Sequence, residues 1–179
     1  VNKFHLDEKK EDYFLMVGRL MTYKRFDIVI EAFNQLGWPL KIIGGQGPDK
    51  KRLMKMAHSN IEFTGRLSDE DLAKTYARAK AFIFPQEEDF GIVAIEALAS
   101  GKPIIAFRGG DIVEHVREGQ EGLFFDEQTP EALTEVLQKF NSAGFDSRKI
   151  RERALPFDRD IFKEKIKSHV EKSLSEFKK

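Results

Sequence analysis

The sequence predicts an α/β fold: a Rossmann-like, doubly wound parallel sheet of six strands, closed by a C-terminal tail helix. Three observations predict it. Six apolar runs of strand length recur along the chain, continuous rather than alternating, as in strands covered on both faces. Stretches with apolar residues at helical spacing separate these runs. The 179 residues, 41% hydrophobic and 11% aromatic, can bury one core but are few for two.

Taken in order, residues 1–12 are polar and rich in Lys and Glu, and read as a linker cut from a longer protein. Tyr13 to Val17 is the first strand. Phe26, Val29, Ile30, Phe33 and Leu36 then follow a helical period, which Gly37 stops. Leu40 to Ile43 and Ile61 to Thr64 are the next strands, with a glycine-rich turn, Gly45 to Lys50, after the first of them. Ser68 with Asp71 three residues on resembles a capping box and opens a helix through Ala79. Ala81 to Phe84, Ile104 to Phe107 and Gly122 to Phe125 complete the strands. Thr129 and Pro130 fit the N-cap and first position of a further helix. Beyond Pro156, the four-residue stripe Phe162, Ile166, Val170, Leu174 marks a long helix with no strand after it, so residues 156–179 are set apart as a tail from the Rossmann-like unit 13–155. That stripe needs a covering surface, either the remainder of a longer protein or a second copy of the chain.

Composition narrows the function. Thirty Lys plus Arg balance thirty Asp plus Glu, which argues against a generally basic nucleic-acid binder. With no cysteine, disulfides, thiolate metal sites and cysteine nucleophiles are excluded. No apolar run approaches a membrane span. A cytoplasmic setting is the expectation, at the membrane's cytoplasmic face if the full-length protein acts there.

In open parallel sheets ligands bind beyond the carboxyl ends of the strands, so the loops that follow strands carry the candidates. After the first strand come Gly18, Arg19 and, five residues on, Lys24, a guanidinium and an ammonium suited to a diphosphate and equally readable as solvated loop charges. After the fourth come Glu88, Phe90 and Gly91, then a helix from Ile92 to Ala99 in which Glu96 is the single charge. A carboxylate in so apolar a helix needs a partner, and ribose hydroxyls at a pocket mouth would serve. Glu88 also suits the helix dipole, as a plain N-terminal acid would. Gly109-Gly110 is a strand-end turn that offers a further wall. Other patterns fail: Lys50 stands where a dinucleotide fingerprint needs its third glycine, and Gly101-Lys102-Pro103 precedes a strand where a phosphate loop would follow one. His5, His58, His115 and His169 have no ligand spacing, and the pairs Asp69/Asp71 and Asp158/Asp160 read as helix caps, so no metal site is expected.

Glu88 and Glu96, with seven residues between them, resemble the donor-binding motif of retaining GT-B glycosyltransferases of the "glycosyl transferases group 1" family. Gly18-Arg19-Leu20 with Lys24, Gly44-Gly45-Gln46-Gly47-Pro48, Phe63 to Ser68, Phe90-Gly91, and Gly109-Gly110 with Glu114 agree in order and spacing over residues 13 to 140. The resemblance implies the C-terminal, nucleotide-sugar-binding half of such an enzyme. Under it, Arg19 and Lys24 hold the diphosphate and stabilise the leaving group, and Glu88 holds donor-sugar hydroxyls. Backbone amides from Phe90 through Gly91 to Ile92 touch sugar and phosphate, Glu96 takes the ribose, and Arg66 lines the base. It further implies no cofactor or metal, a glycan or lipid-linked acceptor bound by the N-terminal domain, and an isolated half that does not transfer sugar. The tail helix would cross back to that domain. The run from Gln86 to Val93 is most similar to mannosyltransferases of polysaccharide assembly, so GDP-mannose is the expected donor, with a sucrose- or trehalose-synthase type relative and a non-catalytic nucleotide-sugar module as alternatives.

Overall fold

A computed structural model describes residues 1–177. Its six strands are β1 (Phe14–Val17), β2 (Leu40–Ile43), β3 (Ile61–Gly65), β4 (Phe82–Phe84), β5 (Ile104–Phe107) and β6 (Gly122–Phe125). They form one sheet in the order β3-β2-β1-β4-β5-β6, every pair parallel. This is the doubly wound order, in which the strand sequence reverses between β1 and β4 and leaves a crevice there. The strands match the apolar runs to within a residue. Tyr13 and Ala81 fall just outside because they lead into the ladder: Lys80 N donates to the Tyr13 carbonyl and Leu15 N to that of Ala81.

The continuous apolar runs have a physical basis in the two cores. Phe14, Met16, Ile83 and Ile105 point to one face, where they meet Phe26, Val29 and Phe33 of α1 (Phe26–Leu36). Leu15, Phe82, Phe84 and Ile104 point to the other, against Tyr76 of α3 (Asp69–Arg78; α2 is Lys50–Met56) and Ala97 and Leu98 of α4 (Ile92–Ala99). Successive strand residues face opposite ways, so a sheet covered on both sides requires every position to be apolar. Each large side chain buried this way contributes roughly 1.5–3 kcal/mol.

The caps read from the sequence are present. Ser68 accepts from Asp71 N at the start of α3, and Thr129 accepts from Ala132 N before α6 (Pro130–Lys139), which follows the short α5 (Ile112–His115). Gly37 ends α1 at φ 67°. The sequence reading passed over α2, which begins at Lys50, so the Gly45 to Lys50 turn runs straight into a helix. Among its residues only Leu53 is buried, which leaves almost no apolar period to read. It also passed over α7 (Ser147–Ala154), which packs on α4.

The N-terminal segment is docked on the domain. Phe4 packs edge-on against Tyr76 at 5.5 Å, its carbonyl accepts from Arg151 at 2.7 Å, and Asp7 pairs with Arg78 at 2.9 Å. After a tight turn over Leu155–Phe157 comes α8 (Arg159–Phe177). Its stripe is open to solvent: Phe162, Ile166, Val170 and Leu174 are each about half exposed. The last two residues of the predicted tail, 178 and 179, lie outside the described residues. No helix among the described residues is long and apolar enough to cross a membrane.

Candidate donor site

Two hollows lie at the carboxyl ends of the strands, one over β1, β2 and β3 and the other at the loop after β4, on either side of the point where strand order reverses. The larger, of about 550 Å³, is lined by Gly18, Arg19, Gly44, Gln46, Arg66 and Asp69 among others. The second, of about 350 Å³, is lined by Lys24, Glu88, Phe90, Gly91, Ile92 and Val93. They meet where the Lys24 side chain passes 3.2 Å from the place a Gly18 Cβ would occupy. The β1 and β2 loops are pressed together here. A Cβ on Gly44 would sit 1.9 Å from the Gly18 carbonyl oxygen, so no larger residue fits without moving backbone.

Lys24 closes a one-turn 3-10 segment, Thr22–Lys24, and is 9% exposed. Its ammonium forms an ion pair with the Glu88 carboxylate, so two residues 64 apart in sequence meet between the β1 and β4 loops. Arg19 is exposed and has no carboxylate partner among the described residues. It lines the larger hollow together with Arg66, also exposed.

Gly91 begins α4 at φ 63°, and a Cβ there would meet the Phe84 ring at 2.9 Å. Glycine is therefore needed twice over, for the left-handed turn and for the close approach. As the first residues of an α-helix, Ile92 and Val93 carry amides without an intrahelical acceptor, which favours an anion at that end. Phe90 and Ile92 stand exposed at the mouth, 50% and 64%. Phe90 lies edge-on to Phe157 at 5.9 Å, which brings the β4 loop against the segment leading into α8. The Gly109-Gly110 turn does abut this loop: Asp111 N donates to the Glu88 carbonyl at 3.0 Å.

Glu96 stands apart from this group. It is half-buried between α3 and α4 and is not among the residues lining either hollow. Its partner is a protein group, the Tyr76 hydroxyl, at 3.1 Å. Burial pushes its carboxyl above the ordinary range, while the Tyr76 bond and the nearby chain amino group act in the opposite direction.

Residues not singled out from the sequence position this site. Arg25, at φ 52°, is the one non-glycine residue in the left-handed region among the described residues. Its guanidinium is held by the Gln128 side chain at 3.2 Å and the Gln128 carbonyl at 3.1 Å. Gln128 Nε2 in turn donates to the Pro85 carbonyl at 2.8 Å. One side chain after β6 thus ties the Lys24 loop to the Glu88 loop. A left-handed arginine leaves no sequence mark, so nothing in the pattern announces it. No group of three or more His, Asp or Glu placed to hold a metal ion occurs among the described residues.

Comparison with known proteins agrees with this architecture. An uncharacterized glycosyltransferase of Methanocaldococcus jannaschii is 34% identical over 148 residues, 79% of this chain and 42% of its own length. A GDP-mannose-dependent alpha-mannosyltransferase of Corynebacterium glutamicum is 39% identical over 111 residues, 62% of this chain and 26% of its own. The chain therefore spans less than half the length of these curated relatives. Among solved structures, sucrose-phosphate synthase from Thermosynechococcus elongatus superposes with a TM-score of 0.85 at 22% identity, over 97% of this chain and 50% of that one. That likeness shows the fold. The family model for glycosyl transferases group 1 matches residues 2–155, and with it the whole sheet and both hollows: this chain belongs to that family.

Proposed function

We propose that this chain is the donor-binding half of a retaining hexosyltransferase and takes a nucleoside-diphosphate sugar in the two adjoining hollows. The observation that carries this reading is the Lys24–Glu88 pair lining one hollow at the end of β4, beside a second hollow that Arg19 lines at the end of β1. Two cations beside the free amides of α4 suit a diphosphate. In the proposed mechanism they take up the charge that develops on the departing nucleotide, an effect that strengthens as water is excluded. The two side chains supply the countercharge, and this reading calls for no metal ion. Glu88, released from Lys24 when the diphosphate arrives, is free to accept hydrogen bonds from sugar hydroxyls. The α4 amides from Gly91 onward touch sugar and phosphate, and backbone groups near Arg66 line the base.

GDP-mannose is the donor we favour. The similarity to a GDP-mannose-dependent alpha-mannosyltransferase, which extends over 62% of this chain, supports it. The acceptor, a glycan or a lipid-linked glycan, would be bound by an N-terminal domain, so the chain alone binds donor without transferring sugar. Residues 1–12 would be the link to that domain and α8 the element that crosses back to it, its exposed stripe covered there. A cytoplasmic reaction, at the membrane face when the acceptor is lipid-linked, belongs to the same reading.

Calorimetry tests it. GDP should bind and guanosine should bind far more weakly, with Arg19→Ala or Lys24→Ala removing most of the difference, about 1.5–3 kcal/mol for a charged hydrogen bond. Equal affinity for nucleoside and diphosphate, whatever the base, would overturn the site. Tighter binding of UDP-glucose than of GDP-mannose would instead favour a sucrose-synthase type donor in the same hollows.

A further inference from the structure

At the other end of the sheet, the residues leading into β1, β4 and β5 enclose a separate hollow of about 250 Å³. Lys102 lines it and is only 4% exposed. Other buried charged residues are matched, Lys24 by Glu88 and Glu121 by Arg117. Lys102 has neither a carboxylate within 4 Å nor a side-chain hydrogen bond among the described residues; its stem is buried while its unpaired ammonium keeps contact with the hollow.

The rest of the lining has an unmatched positive excess. Of its two carboxylates, Asp12 is engaged by Lys80 at 2.7 Å and Glu11 by Arg78 at 3.3 Å. That leaves Lys10 with Lys102. Two hydroxyls also line the hollow: Ser142, which opens a one-turn 3-10 segment, and Ser147, the first residue of α7. Neither hydroxyl has a hydrogen-bond partner among the described residues.

From these groups we infer a second anion site, built for a phosphate group, at the amino ends of the strands. Lys102 is its buried cation, Lys10 its cation at the entrance, and Ser142 and Ser147 its hydroxyl donors. A tetrahedral oxyanion offers several acceptor oxygens at once, so an ammonium and two hydroxyls can each meet a different oxygen. Burial, with Lys10 adding to it, holds the Lys102 ammonium down to about 8, so at neutral pH the cation is present and a bound anion would relieve its cost. The group could come from free phosphate or from a small phosphomonoester. The inference is independent of the proposed donor site, which lies at the opposite ends of the same parallel strands.

Amide-resolved NMR titration of this chain at pH 7 and constant ionic strength is the test, with inorganic phosphate and a hexose 6-phosphate as probes. Saturable shifts at Gly101, Lys102 and Ser147, at least tenfold weaker in Lys102→Met and several-fold weaker in Ser147→Ala, are expected. Saturation by both probes identifies phosphomonoesters as ligands, and saturation by inorganic phosphate alone identifies the free anion. Shifts confined to Gly18 and Gly91 would place the binding in the donor hollows and overturn the second site. So would shifts equal to those given by sodium chloride, or a Lys102→Met variant that binds as the parent does. Should Lys102→Met fail to fold, undiminished binding by Ser147→Ala would overturn the hydroxyl role, and non-saturating shifts in the parent chain would overturn the site.

Discussion

The Tyr76 hydroxyl lies 3.1 Å from Oε2 of Glu96 and 3.2 Å from the Val93 carbonyl oxygen. Tyr76 is fully buried, so this one hydroxyl serves two acceptors of α4 and fixes that helix against α3. Glu96 consequently has a structural partner whether or not a nucleotide is present, and the two roles predict different pH behaviour.

With its folded pKa raised, Glu96 favours the folded state most when protonated. Its contribution is fully present below its ordinary pKa and is lost as pH rises through the raised value. Glu96→Gln removes the charge and keeps an acceptor for Tyr76, so it should leave thermal stability at pH 7 unchanged or higher and flatten the profile above about pH 4.5. Tyr76→Phe should cost about 1–3 kcal/mol, since the half-buried Glu96 carboxylate and the Val93 carbonyl lose the hydroxyl they share. If Glu96 also takes a ribose, a cycle of Glu96→Gln with a 2′-deoxy nucleotide should show a coupling on the order of 1 kcal/mol. Additive binding losses, measured by calorimetry, would leave Glu96 a residue of the α3–α4 contact alone.

The Lys24–Glu88 pair yields a prediction of opposite signs. Before a diphosphate can use Lys24, the ammonium must loosen from Glu88. Glu88→Gln should therefore strengthen binding of a nucleoside diphosphate several-fold while weakening the sugar-bearing donor, and Lys24→Ala should weaken both. Competition calorimetry with GDP and GDP-mannose measures both effects, and Glu88→Gln weakening GDP as strongly as Lys24→Ala would contradict exchange of the ion pair.

Much of this molecule could be read in its sequence, for reasons visible in the coordinates. Strands announce themselves because both faces are covered, and α1, α3 and α6 because each carries a regular buried stripe or a capping side chain. Arg19, Lys24 and Glu88 are legible as candidates because strand ends in a parallel sheet limit where a ligand can sit, and the fold pairs Lys24 with Glu88. What stayed hidden depends on tertiary contact. The need of Glu96 for a partner was legible, but the partner is a tyrosine on the preceding helix, whose hydroxyl looks like any core tyrosine in sequence. Phe4 closes over that tyrosine from a segment too polar to suggest docking. Lys102 reads as an ordinary turn residue, since only the fold shows that no carboxylate pairs with it among the described residues.

Lys102 gives a stability prediction with a defined window. Its folded pKa of about 8 lies below its ordinary 10.5, with Lys10 acting in the same direction and Asp7 against it. Between these values the unfolded chain binds the proton that the folded chain has released, so stability from this group rises with pH from about 8 to about 10.5. Below that window the charge costs at most about 3 kcal/mol. Lys102→Met should accordingly be more stable than the parent at pH 7 in chloride, and urea unfolding should show the gap closing by pH 10. A parent as stable as Lys102→Met at pH 7 would mean that solvent or a counter-ion already compensates the ammonium.

The last prediction concerns Gln128, which touches neither proposed ligand atom but joins the two loops that do. It accepts from Arg25 on the Lys24 side and donates to the Pro85 carbonyl on the Glu88 side. Arg25 holds a left-handed backbone of the kind that costs on the order of 1–3 kcal/mol and persists only when its surroundings enforce it. Gln128→Ala removes that enforcement and should let the Lys24 turn relax. Diphosphate affinity should fall several-fold with little change in global unfolding, because the sheet and both cores are untouched. A second substitution separates positioning from simple damage. Arg25→Gly relieves the strained φ while losing the same anchor, so it should lose affinity without losing stability. Full affinity in both variants would show that the ion pair alone aligns the loops, and an equal drop in affinity and unfolding free energy in Gln128→Ala would make the residue structural.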